Sequence, residues 1–181
     1  KFRGSLSNLT AVELGIRSVS ELLSRCNIDP SSGVIDEVLF GQVLQAGAGQ
    51  APARQVALGA GLPNSIAATT INKVCGSSLK AVMMAANSIK AGEYKAIIAG
   101  GMESMTNAPK FEKRNGEEKE MVSTMVHDGL WDVYNDVHMG NTGEIVAKEF
   151  SLSRKVIDEF SMSSHVKANN AWENGWFDEE S

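Results

Sequence analysis

A cysteine standing between a strand pattern and a helix pattern constrains this chain most. Ile66 to Ile71 is an apolar run rich in β-branched residues, which favours an extended strand. Ser77 to Ala91 then carries helical periodicity, with Leu79, Val82, Met83, Ala86 and Ile89 as its expected buried side and Gly92 as its stop. The small residues Ala81, Ala85 and Ala86 suit a helix closely enclosed by a sheet or a second helix, and Met83 and Met84 read as packing. Cys75 falls where the strand must turn sharply into that helix. Such a turn exposes a sulfur, and the N–H groups and positive end of a helix favour its thiolate form. A thiolate there is a nucleophile; a cysteine beside an apolar run is also a small buried hydrophobe. Gly76, Ser77 and Ser78 favour the first reading, because they keep backbone accessible next to the sulfur.

The rest of the chain supplies a sheet for that turn. Thr10-Ala11-Val12-Glu13 is a capping box opening a helix whose stripe runs through Val12, Ile16, Val19, Leu22, Leu23 and Cys26. Cys26 is therefore expected in the core. Asp29 to Gly33 is turn chemistry, and Ile35 to Val43 reads as a strand. Gly41, Gly47 and Gly49 open a loop that is either a plain connection or a cradle for a phosphate; its spacing matches no known phosphate or dinucleotide fingerprint. Pro52 starts a short helix that Gly61 ends. Ala96 to Gly101 is a wholly apolar strand, of the kind found in sheets covered on both faces. Helix and strand thus alternate three times, which predicts an α/β sheet with parallel or mixed strands and right-handed crossovers.

Beyond residue 101 the pattern loosens. Met102 to Pro109 leaves the sheet; Glu103 and Ser104 are read as a solvated turn, the alternative being that they orient groups near the cysteine. Lys110 to Glu120 is a charge run about Asn115-Gly116, expected as a solvated loop. Thr142 to Phe150 and Ser153 to Asn174 read as two helices, the second capped by Ser153, ended by Gly175 and apolar through Val156, Ile157, Phe160, Val166 and Trp172.

A net charge of −5 argues against nucleic acid as a partner. No apolar run spans a bilayer. Two distant cysteines make no disulfide framework, and free thiols favour a reducing compartment. With 43% hydrophobic residues the 181-residue chain has ordinary globular composition.

Ile71-Asn72-Lys73-Val74-Cys75-Gly76-Ser77-Ser78-Leu79-Lys80-Ala81 resembles the nucleophile motif of the thiolases, in particular those acting on acetoacetyl-CoA. The likeness continues through Gly100 to Met105, Asp128 to Tyr134, His138-Met139-Gly140 and Lys167 to Phe177, covering nearly the whole chain in the family's order. Ser78 departs from it, standing where thiolases often have glycine; this removes no reacting group. The resemblance implies a layered α/β/α fold of which this chain carries the first half and part of a loop domain. Residues 1–109 would form the N-terminal α/β domain and 110–181 the loop-domain segment on the coenzyme A side. A preceding strand and the C-terminal domain would lie outside the chain, so neither a targeting peptide nor the second half is legible here.

It also implies a reaction. Cys75 would take the acetyl group in reversible thiolysis of acetoacetyl-CoA, or in the reverse condensation of two acetyl-CoA molecules, with its backbone N–H facing the oxyanion. Leu130, His138 and Met139 would line the acyl and pantetheine tunnel; a structural role for His138 is the alternative. Lys110, Lys113 and Arg114 either meet the phosphates of coenzyme A or stay in solvent, on a segment that is short beside the family. His127 and His165 receive no role. No metal and no cofactor beyond coenzyme A as substrate or product is implied, apart from potassium in some thiolases. The general base (a Gly-His-Pro histidine), a second cysteine and an Asn-bound water would lie beyond Ser181, so this chain alone would turn over little. A dimer or tetramer is implied, with no nucleic acid or membrane partner. An intracellular site is implied, with the mitochondrial matrix favoured over the cytosol through Met83-Met84-Ala85 and Val133-Tyr134-Asn135. Two other functions stay open: a ketoacyl-synthase type of condensing enzyme, against which the motif blocks argue, and a non-catalytic acyl-CoA-binding module.

Overall fold

The computed structural model describes residues 2–115 and 118–179. Gly116, read as part of the centre of a charged loop, lies outside them. The chain divides into two compact units, one ending at Leu130 and one beginning at Trp131.

The first unit opens on helix α1, Ala11–Arg25. The capping box forms as expected: Thr10 Oγ1 accepts the Glu13 N–H at 3.2 Å, and Glu13 Oε2 accepts the Thr10 N–H at 2.8 Å. The buried stripe is Ala11, Gly15, Val19 and Leu23. Cys26 is not on it. The helix ends at Arg25, Cys26 is its C-cap and is exposed, and Asn27 turns the chain away with φ 53°. The periodic reading fails at Cys26 because the helical repeat ends one residue before it.

Three parallel strands form the sheet, in the order β2-β1-β3: β1 is Glu37–Gly41, β2 Ala67–Ile71 and β3 Ile97–Gly101. The first of these is shorter than the Ile35 to Val43 run suggested. Strand β1 is central, and Val38, Leu39 and Phe40 are all buried. Successive side chains of a strand point to opposite faces. Val38 and Phe40 join the core made with α1 and with helix α2, Pro52–Gly59, whereas Leu39 packs with Ala81 and Ala85 of helix α3, Ser77–Lys90. Both faces of the sheet are thus covered, the layered α/β arrangement expected from the alternation of elements.

Helix α3 has the predicted extent but presents the opposite face. Its buried residues are Ser77, Ala81 and Ala85. Leu79, Val82, Met83 and Ile89 are exposed, as is Ala86. The reason is the closeness of helix and sheet. A Cβ on Gly41 would lie 2.8 Å from backbone atoms of Ser77 and Ser78, a gap into which only small side chains fit. The large residues are left on the face that no described residue covers.

The described residues between Lys110 and Glu120 are not an irregular loop. Strands β4, Lys110–Asn115, and β5, Glu118–Ser123, form an antiparallel pair that sets Phe111 opposite Val122 and Lys113 opposite Glu120. Alternation of Phe111 and Val122 with charged neighbours is a strand signal that the charge count concealed. One π-helical turn, Met125–Leu130, closes the unit.

The second unit contains a short antiparallel pair, β6 (Trp131–Asp132) and β7 (Val137–His138), then helices α4, Met139–Glu149, and α5, Arg154–Glu173. Helix α4 begins three residues before the sequence suggests, because His138 caps it. Ser153 caps α5 as expected, accepting the Val156 N–H at 3.3 Å. The apolar residues assigned to α5's packed side are exposed within this unit, and only Ala171 is buried. Among the described residues no helix is long and apolar enough to cross a membrane.

Candidate active site

The carboxyl ends of β1 and β3 and the start of α3 enclose a cavity of about 330 Å³. Ligands of open α/β sheets bind at that end of the strands. Cys75 lies on its wall together with Val74, Gly41, Gly101, Glu103 and Leu130. The cysteine is exposed, which settles its environment against a packed core residue.

The elbow that presents the sulfur is built from short hydrogen bonds. After β2 ends, Asn72 Oδ1 accepts the Val74 N–H at 3.0 Å, an Asx turn. The Ser77 hydroxyl donates to the Val74 carbonyl at 2.6 Å and accepts the Lys73 N–H at 2.8 Å. Gly76 N–H donates to Lys73 O and Ser77 N–H to Val74 O. Between these ties Val74 is held at φ 47°, a left-handed conformation disfavoured for a β-branched residue by roughly 1–2 kcal/mol. The strain turns the chain within one residue, so Cys75 leaves the strand axis and faces the cavity. No side chain caps α3, and its first turn holds no acid, so no carboxylate of the helix itself offsets its positive end beside the sulfur.

Glycines at the strand ends let the helix come this close. Besides the Gly41 contact, a Cβ on Gly101 would run into the Ser78 hydroxyl. The serine that stands where thiolases often have glycine is therefore accommodated by the glycine opposite it.

Leu130, half-buried, lies on the same cavity wall as Cys75. His138 and Met139 belong to the second unit. His138 Nδ1 accepts the Gly140 N–H at 2.9 Å, so part of its role is structural. With Nδ1 an acceptor, the neutral ring carries its proton on Nε2, a donor suited to a carbonyl. Met139 is exposed at the first position of α4. His127 bonds Asp128 Oδ1 at 2.6 Å. Of the cations considered for phosphate, Arg114 is tied to Glu112 at 2.8 Å. Among the described residues no group of three or more His, Cys, Asp or Glu is placed to hold a metal ion.

Sequence reasoning passed over Asn72 and Ser77 as structural parts of the elbow, and favoured a solvated turn over an orienting role for Glu103. An Asn two residues before a β-branched residue in a strand-to-helix turn was the available signal for the first. For the partners of Glu103 there was none: Val43 and Leu44 lie 60 and 59 residues away in sequence.

Comparison with known proteins gives the family. A family model described as "Thiolase, N-terminal domain" matches residues 1–181. The chain is 50% identical to an acetyl-CoA acetyltransferase of Cupriavidus necator over 99% of its own length and 47% of that protein. It is 49% identical to acetyl-CoA acetyltransferase 2 of Arabidopsis thaliana, covering 97% of this chain and 44% of that one. Against the mitochondrial acetyl-CoA acetyltransferase A of Xenopus laevis the identity is 45%, over 96% of this chain and 42% of the relative. The crystal structure of the Acat5 thiolase from Ascaris suum in complex with coenzyme A superposes with a TM-score of 0.91 at 36% identity, over 99% of this chain and 47% of that chain. The chain thus spans about half the length of the relatives it matches. On its motif, its fold and these matches, the chain belongs to the thiolase family.

Proposed function

We propose that the protein carrying this chain is an acetyl-CoA acetyltransferase, which cleaves acetoacetyl-CoA with coenzyme A or condenses two acetyl-CoA molecules. The observation that carries the reading is the exposed Cys75 at a strained elbow, on a cavity wall at the carboxyl end of a parallel sheet. The names of the relatives support the substrate class.

In thiolysis the Cys75 thiolate attacks the ketone carbonyl of acetoacetyl-CoA. A tetrahedral oxyanion forms, then collapses with cleavage of the bond between that carbonyl carbon and the methylene. The acetyl group remains on sulfur; the carbanion of acetyl-CoA departs and is protonated. Coenzyme A thiolate then attacks the acetyl-enzyme and restores Cys75. The backbone N–H of Cys75 is the donor this chain offers to the oxyanion, and a preorganised donor of that kind is worth about 3–4 kcal/mol. Leu130 lines the acyl side, and His138 Nε2 and Met139 meet the pantetheine arm. Proton transfer needs a base and an acid, roles that the resemblance gives to a Gly-His-Pro histidine and a second cysteine.

No bound cofactor is required in this scheme; potassium remains a family expectation. A homodimer or homotetramer, a mitochondrial matrix site and a role in ketone-body and lipid metabolism belong to the same reading, the second supported by the Xenopus laevis relative. The test is intact-mass and peptide analysis of the full-length protein after acetoacetyl-CoA. A two-carbon adduct on Cys75, absent from Cys75→Ser, is expected. A Cys75→Ser protein that keeps normal turnover would overturn the covalent mechanism.

A further inference from the structure

Two carboxylates each hold a pair of backbone amides, one at either end of the same three-stranded sheet. Asp36 Oδ2, just before β1, accepts the N–H groups of Lys95 at 2.7 Å and Ala96 at 2.9 Å. Glu103 Oε2, two residues past the end of β3, accepts those of Val43 at 2.8 Å and Leu44 at 3.2 Å. The first joins β1 to the entry of β3. The second lies on the Cys75 cavity wall, and its amides lead to the elbow. The Val43 carbonyl accepts Asn72 Nδ2 at 3.4 Å, and Asn72 Oδ1 accepts the Val74 N–H at 3.0 Å. Val74, at φ 47°, directly precedes the cysteine.

We propose that Glu103 is a positioning residue for the Cys75 nucleophile, acting through Val43 and Asn72. Its carboxylate fixes the orientation of the Val43–Leu44 backbone by two charge-assisted bonds. That orientation aims the Val43 carbonyl at the Asn72 amide, and the seated amide holds Val74 in its strained turn. Strained backbone persists only where its surroundings over-determine it. Remove the carboxylate and Val74 relaxes toward an ordinary extended or helical conformation, swinging the sulfur off the cavity wall. The two amides also disperse a negative charge that would otherwise oppose a thiolate nearby.

This inference rests on Cys75 being the nucleophile, and its test separates the two. In the full-length protein, Glu103→Ala, Glu103→Gln, Asn72→Ala and Asp36→Ala are compared by three readouts: the rate of Cys75 alkylation by iodoacetamide, acetoacetyl-CoA thiolysis, and Tm. Glu103→Ala slows alkylation and lowers kcat by about 10- to 100-fold with KM unmoved, the scale of an ångström-level misplacement. Glu103→Gln keeps an acceptor oxygen at the same reach and falls between Glu103→Ala and the parent. Asn72→Ala reproduces the defect, and the double variant is no worse than either single one, as links of one chain require. Asp36→Ala lowers Tm and leaves alkylation unchanged. Parent-like alkylation in Glu103→Ala, or a Glu103→Gln no faster than Glu103→Ala, overturns the proposal. If Glu103→Ala does not fold, Asn72→Ala decides, and parent-like alkylation there overturns it. If Cys75→Ser retains turnover, the functional reading fails instead, while the alkylation series still reads how the elbow is held.

Discussion

Gly41 and Ser77 meet so closely that a Cβ added to Gly41 would lie 2.7 Å from the Cβ of Ser77. The same atom would be 2.8 Å from the Ser77 carbonyl carbon and the Ser78 nitrogen, which cannot move without lifting the start of α3. Gly41→Ala is therefore expected to destabilise the protein by about 1–3 kcal/mol, the usual cost of overpacking. Chemical denaturation measures that loss. Because Cys75 is carried on the same elbow, its alkylation by iodoacetamide should slow in the folded variant. An unchanged denaturation midpoint would mean that α3 does not seat on Gly41.

The buried face of α3 makes a second expectation. Ala81 is fully buried in the cluster with Leu39. Ala81→Leu inserts three carbons where helix and sheet already touch and should cost about 1–3 kcal/mol in unfolding free energy. The periodicity of the sequence alone assigns the inward face to Leu79 and Val82. Tolerance of leucine at position 81 would favour that assignment.

Strain at Val74 is open to direct measurement. Asparagine tolerates the left-handed region that a β-branched residue resists. Val74→Asn should raise stability by about 1 kcal/mol, less a contribution from the half-exposed valine side chain it removes. Thermal or chemical unfolding gives the sign. A clear destabilisation would show that packing of Val74, not its backbone, dominates at this position.

Asp36 carries a pH dependence. Hydrogen bonds from the backbone N–H of Ala96, then Lys95, hold its carboxyl below the ordinary aspartate range. A carboxyl depressed on folding stabilises the native state above its unfolded value of about 3.9, and that contribution fades as pH falls through the lower folded value. Asp36→Ala should thus destabilise at neutral pH, and its difference from the parent should shrink as the pH drops below about 4. A difference that grows on acidification would contradict the assigned bonds.

Much of the molecule was legible because much of it is local. The Thr10 and Glu13 capping box, the Ser153 cap and the strand–Cys75–helix order each depend on residues a few positions apart. Alternation of helix and strand sufficed for an α/β sheet with parallel or mixed strands; the pairing of β1 with β2 and β3 makes it parallel. Errors arose where local pattern and long-range packing disagree. Cys26 continued an apolar stripe past the end of its helix, and charges masked the Phe111–Val122 pairing of two antiparallel strands.

From sequence alone came the element order as far as β3 and the cysteine at the strand-to-helix turn, since φ/ψ preference and side-chain period operate over single turns. Folding decided which face of α3 is inward, because the helix-to-sheet distance is set by Gly41 and Gly101, far from α3 in the chain. Folding also brought Glu103 to the amides of Val43 and Leu44, and Leu130 to the wall beside Cys75. Such contacts join segments of unrelated local pattern, and only the path of the chain between them sets whether they meet.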